Sequence, residues 1–387
     1  MNGELLLGGL ALALWIGAAW DVMRGNRRLA SLANVAAPAP AHWPRVSIVF
    51  AARNEAATVG AAVPTMLALD YPDLELVAVN DRSEDRTGEI LDALATREPR
   101  LRVDYVRELP PGWLGKNHAL HHGAQRATGE WILFTDADVH FRPDALRRAI
   151  AHAEARSLDH LAAAPQLHSS AGRGGHLLGI CVGAFSLTFA LFLRPWKIAD
   201  PRSRAHGGVG AFNLVRASAY RARGGHAPLR LRPDDDIKLG KPMKSHGGRS
   251  EFALGAGAIS VAWYASVGEL VRGLTKNAFA GVDYRAWMIL GGVAAHGLFF
   301  LWPVAALAWT SGTTWMVYAA AVALMLLVAV DNQRFGSGRR WHGLLFPLGL
   351  VVFDYILLRS MVVTLWQRGI VWRGTHYPLE ALRRNNL

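Results

Sequence analysis

Cysteine is all but missing. The 387-residue chain has one, Cys181, which excludes an intramolecular disulfide and any cysteine-rich metal site. No internal repeat stands out, which argues against a repeat architecture. Charge is scarce as well: charged residues make up 19% of the chain and hydrophobic ones 51%, yet the net charge is +12. A basic, soluble nucleic-acid binder would not carry that much apolar sequence, so no nucleic-acid partner is expected. The combination fits a membrane protein whose positive charge faces the cytoplasm. The 15 histidines do not supply a metal site either. His118, His121 and His122 fall on or near one helix face, but no glutamate stands between them in a zinc-protease pattern.

The apolar sequence gathers at the two ends. Leu5 to Val22 is long enough to span a bilayer and is followed by Arg24, Arg27 and Arg28. Positive charges after the run, rather than before it, speak against a cleaved signal peptide and for an anchor with its N-terminus outside. This predicts an anchor at 1–23, an Ala- and Pro-rich linker at 24–44 and a cytoplasmic domain at 45–285. A C-terminal membrane region follows at 286–367, with a basic tail at 368–387. Trp287 to Ala308 and Thr314 to Val330 are each long enough to span, and the loop after them carries Arg334, Arg339 and Arg340. Leu344 to Leu365 contains Asp354 and Arg359, which are costly inside a bilayer. Two arrangements stay open for it. It spans once and leaves the basic tail outside, or it is a re-entrant or interfacial helix that returns the tail to the cytoplasm.

Between the ends lies an α/β pattern. Strands are expected at Val46–Ala52, Leu74–Val79, Arg102–Val106 and Trp131–Thr135. Helices are expected at Ala56–Leu69, Glu84–Ala95, Asn117–Ala127 and Pro143–Ala155. This alternation implies a mostly parallel sheet with helices on both faces. Ligands then gather at the carboxyl ends of the strands. Three polar sets stand there: Arg53-Asn54-Glu55, Asn80-Asp81 and Asp136-Ala137-Asp138. The last is a pair of hard oxygen ligands after a buried strand, which suits Mg²⁺ or Mn²⁺ bridging a diphosphate.

Four motifs occur in order: Ala52-Arg-Asn-Glu55, Val79-Asn-Asp-Arg-Ser-Glu-Asp-Arg-Thr87, Gly115-Lys-Asn-His-Ala-Leu120 and Thr135-Asp-Ala-Asp138. Together they resemble glycosyltransferase family 2, with its GT-A nucleotide-sugar-binding fold, over roughly residues 45 to 285. With the flanking apolar runs, the chain looks like the membrane-anchored branch, which includes ceramide glucosyltransferase-like, hopanoid-associated and carotenoid-pathway enzymes. Pro110-Pro-Gly-Trp-Leu-Gly-Lys116 looks especially like the hopanoid-associated group.

The resemblance implies roles. Asp81 would bind the uracil or ribose, Glu55 would line the base pocket and Lys116 would bring positive charge to the donor. Asp136 would approach the donor sugar or ribose, and Asp138 would ligate the metal with it. Each has a plainer reading: a turn or N-cap aspartate at 81, a helix N-terminal charge at 55, a solvated lysine at 116. The run Arg232-Pro-Asp-Asp-Asp-Ile-Lys-Leu239 resembles the family's Glu-Asp-x-x-Leu motif. This makes Asp236 the expected catalytic base with Asp235 in support, against acidic N-capping of a helix. Where many processive synthases of the family carry Gln-x-x-Arg-Trp, the chain has Gly273-Leu-Thr-Lys276-Asn277. Lys276 could still contact the diphosphate, but the missing Trp argues for transfer of a single sugar.

A lipid acceptor is suggested by the mostly apolar segment 174–196 inside the catalytic region. It is either a buried core helix or an interfacial segment beside the active site. Trp372-Arg-Gly-Thr-His-Tyr377 looks like a motif common after the last helix in this branch, with an amphipathic surface anchor as the plainer reading. The expected activity is therefore metal-dependent, inverting transfer of one sugar, UDP-linked in the donor, to a lipid at the cytoplasmic membrane face. A nucleotidyltransferase and a catalytically silent membrane scaffold are the alternatives. Against the first, Ala51-Ala-Arg-Asn-Glu55 is not a Gly-rich phosphate loop.

Overall fold

The computed structural model describes residues 3–168, 175–245, 247–335 and 338–385. The chain forms two compact units. One is helical (Met1–Arg28, Ser169–Arg194 and Trp263–Arg383), and the other is built on a sheet (Leu29–His168, Pro195–Ala262 and Arg384–Leu387).

The strands of the sheet unit are β1 (Ala30–Ser31), β2 (Val46–Ala52), β3 (Leu74–Asp81), β4 (Leu101–Val106), β5 (Trp131–Asp136), β6 (Val139–Phe141), β7 (His160–Ala164), β8 (Gln166–His168), β9 (Asn213–Arg216), β10 (Ser250–Leu254) and β11 (Ile259–Ala262). Eight of them form one sheet in the order β1-β10-β7-β9-β5-β2-β3-β4. Every neighbouring pair is parallel except those of β9, which runs antiparallel to both β5 and β7. A smaller sheet, β6-β11-β8, follows β5 directly.

The central strands are near-continuous apolar runs because both faces of a parallel sheet are covered. Ile48 and Phe50 of β2 point into one core with Met66, Leu91 and Ile150, whereas Val49 points into the other with Leu120, Ile132 and Met243. This alternation packs the helices Val59–Leu67, Thr87–Ala95 and Ala145–Ala155 on one face. Gly115–Arg126, Ala217–Ala222 and Asp235–Ser245 pack on the other. Ile48 is fully buried, so Ile48→Ala would remove about 2–5 kcal/mol. Ser47 is the polar exception in β2. Its hydroxyl donates to Glu75 and accepts the Gly129 N–H at 2.8 Å.

The four expected strands are present, and β3 and β5 run on to Asp81 and Asp136. Ala30–Ser31, inside the stretch read as a linker, adds an edge strand to β10. The helices expected from Ala56 and Glu84 begin later, at Val59 and Thr87, because the intervening residues form the turns that build the site.

Among the described residues, five helices, largely in the helical unit, are long and apolar enough to cross a membrane: Gly3–Asn26, Gly175–Lys197, Ala286–Ala306, Gly312–Phe335 and Arg340–Trp366. Soon after the last of these, Gly369–Trp372 pairs with Thr375–Pro378 in a hairpin. Its tight turn uses Arg373 and Gly374, both with positive φ (46° and 83°), the backbone that two-residue hairpins favour.

Candidate active site

The register of the sheet sets the site. Ala51 of β2 stands opposite Val79 of β3 on one side and Asp136 of β5 on the other, so the three polar strand ends lie at one level. The turns after β2 and β3 are laced together. Asn54 N–H donates to Ser83 Oγ (3.1 Å), Glu84 N–H to Asn54 Oδ1 (2.8 Å), Glu55 N–H to Thr87 Oγ1 (2.8 Å) and Ala56 N–H to Asp85 Oδ2 (3.1 Å). Asn54 takes a positive φ of 56°, which asparagine tolerates better than most residues. Ser83, Asp85 and Thr87 of the second motif are thus scaffolding.

Asp81 is buried, and the Arg82 guanidinium grips it with Nε at 2.7 Å and a second nitrogen at 3.0 Å. The N-terminus of the Gly115–Arg126 helix comes up against this pair. A Cβ on Gly115 would lie 2.5 Å from Asp81 Oδ2, so only glycine permits the approach. The next residue, Lys116, places Nζ 2.7 Å from Asp136 Oδ1. Burial works against its charge, but Asp136, Asp235 and Asp236 outweigh that and hold the ammonium protonated well above the usual lysine range.

Asp136 and Asp138 flank the turn between β5 and β6. Burial, then Asp136 and Glu55, push the Asp138 carboxyl up to about 6. Among the described residues, no three His, Cys, Asp or Glu side chains converge to hold a metal ion by themselves. The donor set nevertheless suits a divalent cation. Two hard carboxylates are crowded with Glu55 and gain from added positive charge, and a diphosphate and water would complete the ligand shell.

The three aspartates after β9 have different surroundings. Asp234 is locked to the fully buried Arg232 by two bonds of 2.8 and 2.7 Å. Asp235 is buried, 4.0 Å from His226 Nε2. Asp236 is half-buried and accepts the Gly210 N–H at 2.9 Å, while Asn213 Nδ2 donates to its carbonyl at 3.0 Å. Burial raises both Asp235 and Asp236 above the carboxylate range, although Lys116 pulls them down. Asn117 ties this loop to the helix of Lys116, its amide donating to the carbonyls of Leu229 (2.6 Å) and Arg232 (2.8 Å). Lys116, Thr135, Gly210, His226, Asp235 and Asp236 line one pocket.

The structure therefore brings Lys116, Asp136, Asp235 and Asp236 together, with Asp138, Glu55 and Asp81 at the adjoining strand ends. Lys276 belongs to the helical unit, where it caps the Val267–Thr275 helix and burial and Arg373 lower its pKa. Sequence reasoning missed the positioning parts, Arg82, Asn117, His226 and Arg232. Gly210 sits in the Gly207-Gly-Val-Gly210 run, whose glycines signal close backbone approach. The histidines expected to be ordinary helix residues have neighbours of their own. His121 stacks on Trp113 at 4.9 Å, and His122 Nε2 lies 3.3 Å from Asp104.

Residues 47–220 match the family model Glycosyl transferase family 2. Over 110 residues the chain is 37% identical to beta-monoglucosyldiacylglycerol synthase of Synechocystis sp., covering 28% of this chain and 22% of that protein. Over 100 residues it is 32% identical to poly-beta-1,6-N-acetyl-D-glucosamine synthase of Staphylococcus epidermidis, covering 26% and 23%. The chain thus spans under a quarter of the length of either relative. Among solved structures, it resembles the mannosyltransferase PcManGT from Pyrobaculum calidifontis in complex with GDP-Man and Mn²⁺. The TM-score is 0.58 at 20% identity, covering 94% of this chain and 99% of that one, a likeness of fold. Residues 47–220 thus resemble a glycosyltransferase family 2 domain, carried on a GT-A-like sheet.

Proposed function

We propose that the protein transfers a single sugar, with inversion, from a nucleotide sugar to a lipid acceptor at the cytoplasmic face of a membrane. The observation that carries this reading is the convergence of Lys116 and Asp236 on one pocket at the carboxyl edge of the sheet, with Asp136 bonded to Lys116. A donor diphosphate needs positive charge there, and an acceptor hydroxyl needs a carboxylate. Lys116 supplies the first and Asp236 the second.

In this reading Asp81 accepts hydrogen bonds from the base or ribose of a UDP-sugar, and Glu55 borders the base. Asp138 and Asp136 would hold Mg²⁺ or Mn²⁺, which when bound offsets charge developing on the departing diphosphate. Asp236 takes the proton of the acceptor hydroxyl. The acceptor oxygen bonds to the anomeric carbon as the bond from that carbon to the phosphate oxygen breaks, and the nucleoside diphosphate leaves. Asp235, buried beside Asp236, keeps the local charge high and so supports the base. Lys276 is a further cation proposed for the donor diphosphate.

The apolar helices support a membrane site, and the similarity to a glycolipid synthase supports a lipid acceptor. The similarity to a polysaccharide synthase bears on acceptor type as well, but the missing Trp after Lys276 favours a single transfer. Arg24, Arg27 and Arg28 after the first apolar helix favour a cytoplasmic sheet unit. The test is to incubate membranes containing the protein with a panel of labelled nucleotide sugars and extract the lipids. Label in the lipid phase from one donor, one sugar per lipid, is expected. Label only in water-soluble polymer would overturn the lipid-acceptor reading.

A further inference from the structure

We infer that only three of the five apolar helices cross a bilayer. The other two, Gly175–Leu193 and Phe346–Trp366, lie along the phospholipid leaflet on the sheet unit's side, with their exposed apolar side chains in it.

The N-terminal helix Gly3–Asn26 and the helix Gly312–Asn332 run parallel. Tyr318 OH donates to Glu4 at 2.8 Å near their beginnings, and Asn26 Nδ2 donates to Asn332 Oδ1 at 3.0 Å at their ends. Arg27 adds two bonds to Asp331, of 3.0 and 2.8 Å, at the same end. The chain enters the sheet unit at Leu29, so the C-terminal ends of both helices lie on the sheet unit's side.

Chain connectivity then restricts the rest. The chain leaves the sheet unit at Ala262 and is back in it by Asn385, which accepts the Leu231 N–H and donates to the Pro228 carbonyl, each at 2.7 Å. A chain that leaves a folded unit and returns to it crosses the membrane an even number of times. Three candidate helices lie between, Ala286–Ala306, Gly312–Phe335 and Arg340–Trp366, so one of them does not cross.

The approach to Phe346–Trp366 and its later turns are held on the sheet unit's side, while Phe346 itself dips to pack on Trp15 and Phe300, part-way along two crossing helices. Just before it, Gly343 abuts the backbone at Val330, where a Cβ would lie 2.5 Å from the nitrogen. Near its other end, Ser360 donates to the Thr275 carbonyl (2.6 Å) and accepts the Phe279 N–H (3.0 Å), in the stretch that precedes the first crossing. This helix also carries the exposed Arg359, a poor occupant of a bilayer centre but one that reaches lipid phosphates from a shallow position.

The Gly175–Leu193 helix obeys the same rule. The sheet unit supplies both its flanks, ending at His168 and resuming at Pro195. Residues 183 to 194 cover roughly 16 Å of helix axis. All along that length they meet the sheet-side ends of the two parallel helices. Gln333 packs on Gly183, Asn332 bonds Ser186 at 3.4 Å, and Arg194 pairs with Asp21 at 2.6 Å. A crossing helix would leave that level within two turns. The two in-plane helices pack on each other through Gly349 against Ala184 and through Phe185 with Phe353. They are also better covered, with 50% and 39% of their apolar windows buried against 22%, 17% and 28% for the other three. The side chains left outward, Phe192 and Trp366 among them, are 62% and 83% exposed. An aromatic so placed suits the bilayer interface.

The test uses the full chain in sealed vesicles, with Cys181 replaced by Ala and single cysteines placed at Arg97 in the sheet unit, at Ser311 between the two crossing helices, or after Leu387. A membrane-impermeant maleimide should label the tail together with Arg97→Cys and opposite to Ser311→Cys. Tail labelling together with Ser311→Cys would overturn the proposal. Spin labels on Leu177→Cys and Phe192→Cys, both lipid-facing, add a depth measurement. Similar depths are expected. A difference near the roughly 22 Å separating the two along the axis would show that Gly175–Leu193 crosses.

Discussion

Asp136 and Asp236 approach the same glycine. A Cβ on Gly210 would lie 2.6 Å from Asp136 Oδ2 and 3.4 Å from Asp236 Oδ2, and the Gly210 N–H is itself bonded to Asp236. The carboxylate proposed for the donor and the one proposed as base are thus spaced by a residue with no side chain. Gly210→Ala is expected to push them apart and lower transfer by roughly 10-fold or more, in line with the sensitivity of catalysis to small misplacements. Thermal stability should change little, because Asp136 is at a partly exposed strand end. Wild-type turnover in Gly210→Ala would remove this spacing from the mechanism.

Asp138→Asn tests the metal. The residue lies in the turn after β5, outside the core, so the fold should persist while transfer is nearly lost with one charged ligand. The check is the activity of the variant against Mg²⁺ and Mn²⁺ concentration. Full activity at saturating metal would exclude Asp138 as a ligand.

Arg232 and Asp234 predict a stability effect next to the catalytic run. Both are buried and doubly bonded to each other. Arg232→Met leaves Asp234 without that partner and should destabilise the sheet unit by about 3–5 kcal/mol. Denaturant unfolding measures it, and a loss under about 1 kcal/mol would mean that Asp234 finds other compensation.

Acid should weaken the sheet unit early. Burial, then His121 and Lys116, push His226 down to about 3, and burial pushes His160 down to about 4 against the hydrogen bond its ring donates to Asn213 Oδ1. Both stay neutral in the folded chain, whereas unfolded histidine protonates near 6.5. The unfolded state therefore binds more protons below that value, and stability falls as pH drops from about 6.5 toward 4 and then 3. Asp138, Asp235 and Asp236, raised in the folded chain, offset part of this loss over the same window, so the histidine share is read from NMR titration of the two rings. Titration of both rings near 6.5 in the folded chain would contradict their neutral burial.

Much of the fold was legible because β2, β3 and β5 are covered on both faces and so read as unbroken apolar runs that stop on polar residues. Asp136, Asp138 and Asp236 were legible for the same reason, as carboxylates where a strand ends or a helix begins. The antiparallel direction of β9, and the strands β7 and β10 beyond it, were not. His160–Ala164 is short and alanine-rich, and β1 is two residues long, so neither carries periodicity that separates strand from loop. Arg82, Asn117 and Arg232 escaped because their roles depend on partners that folding brings up. Asn117, for example, meets carbonyls 112 and 115 residues away. The helix Gly175–Leu193 and the last apolar helix had open readings because length and hydropathy are blind to whether a helix crosses a bilayer or lies along it.

The central claim is that Asp236 takes the acceptor proton. The direct measurement compares nucleotide-sugar affinity and lipid glycosylation in Asp236→Asn, Asp235→Asn and Asp234→Asn. Asn is nearly isosteric, so donor affinity should survive in Asp236→Asn while transfer falls by roughly 10²-fold or more. Asp235→Asn should cost less activity, and Asp234→Asn should act chiefly on stability. Wild-type transfer by Asp236→Asn, with donor affinity intact, would contradict the account.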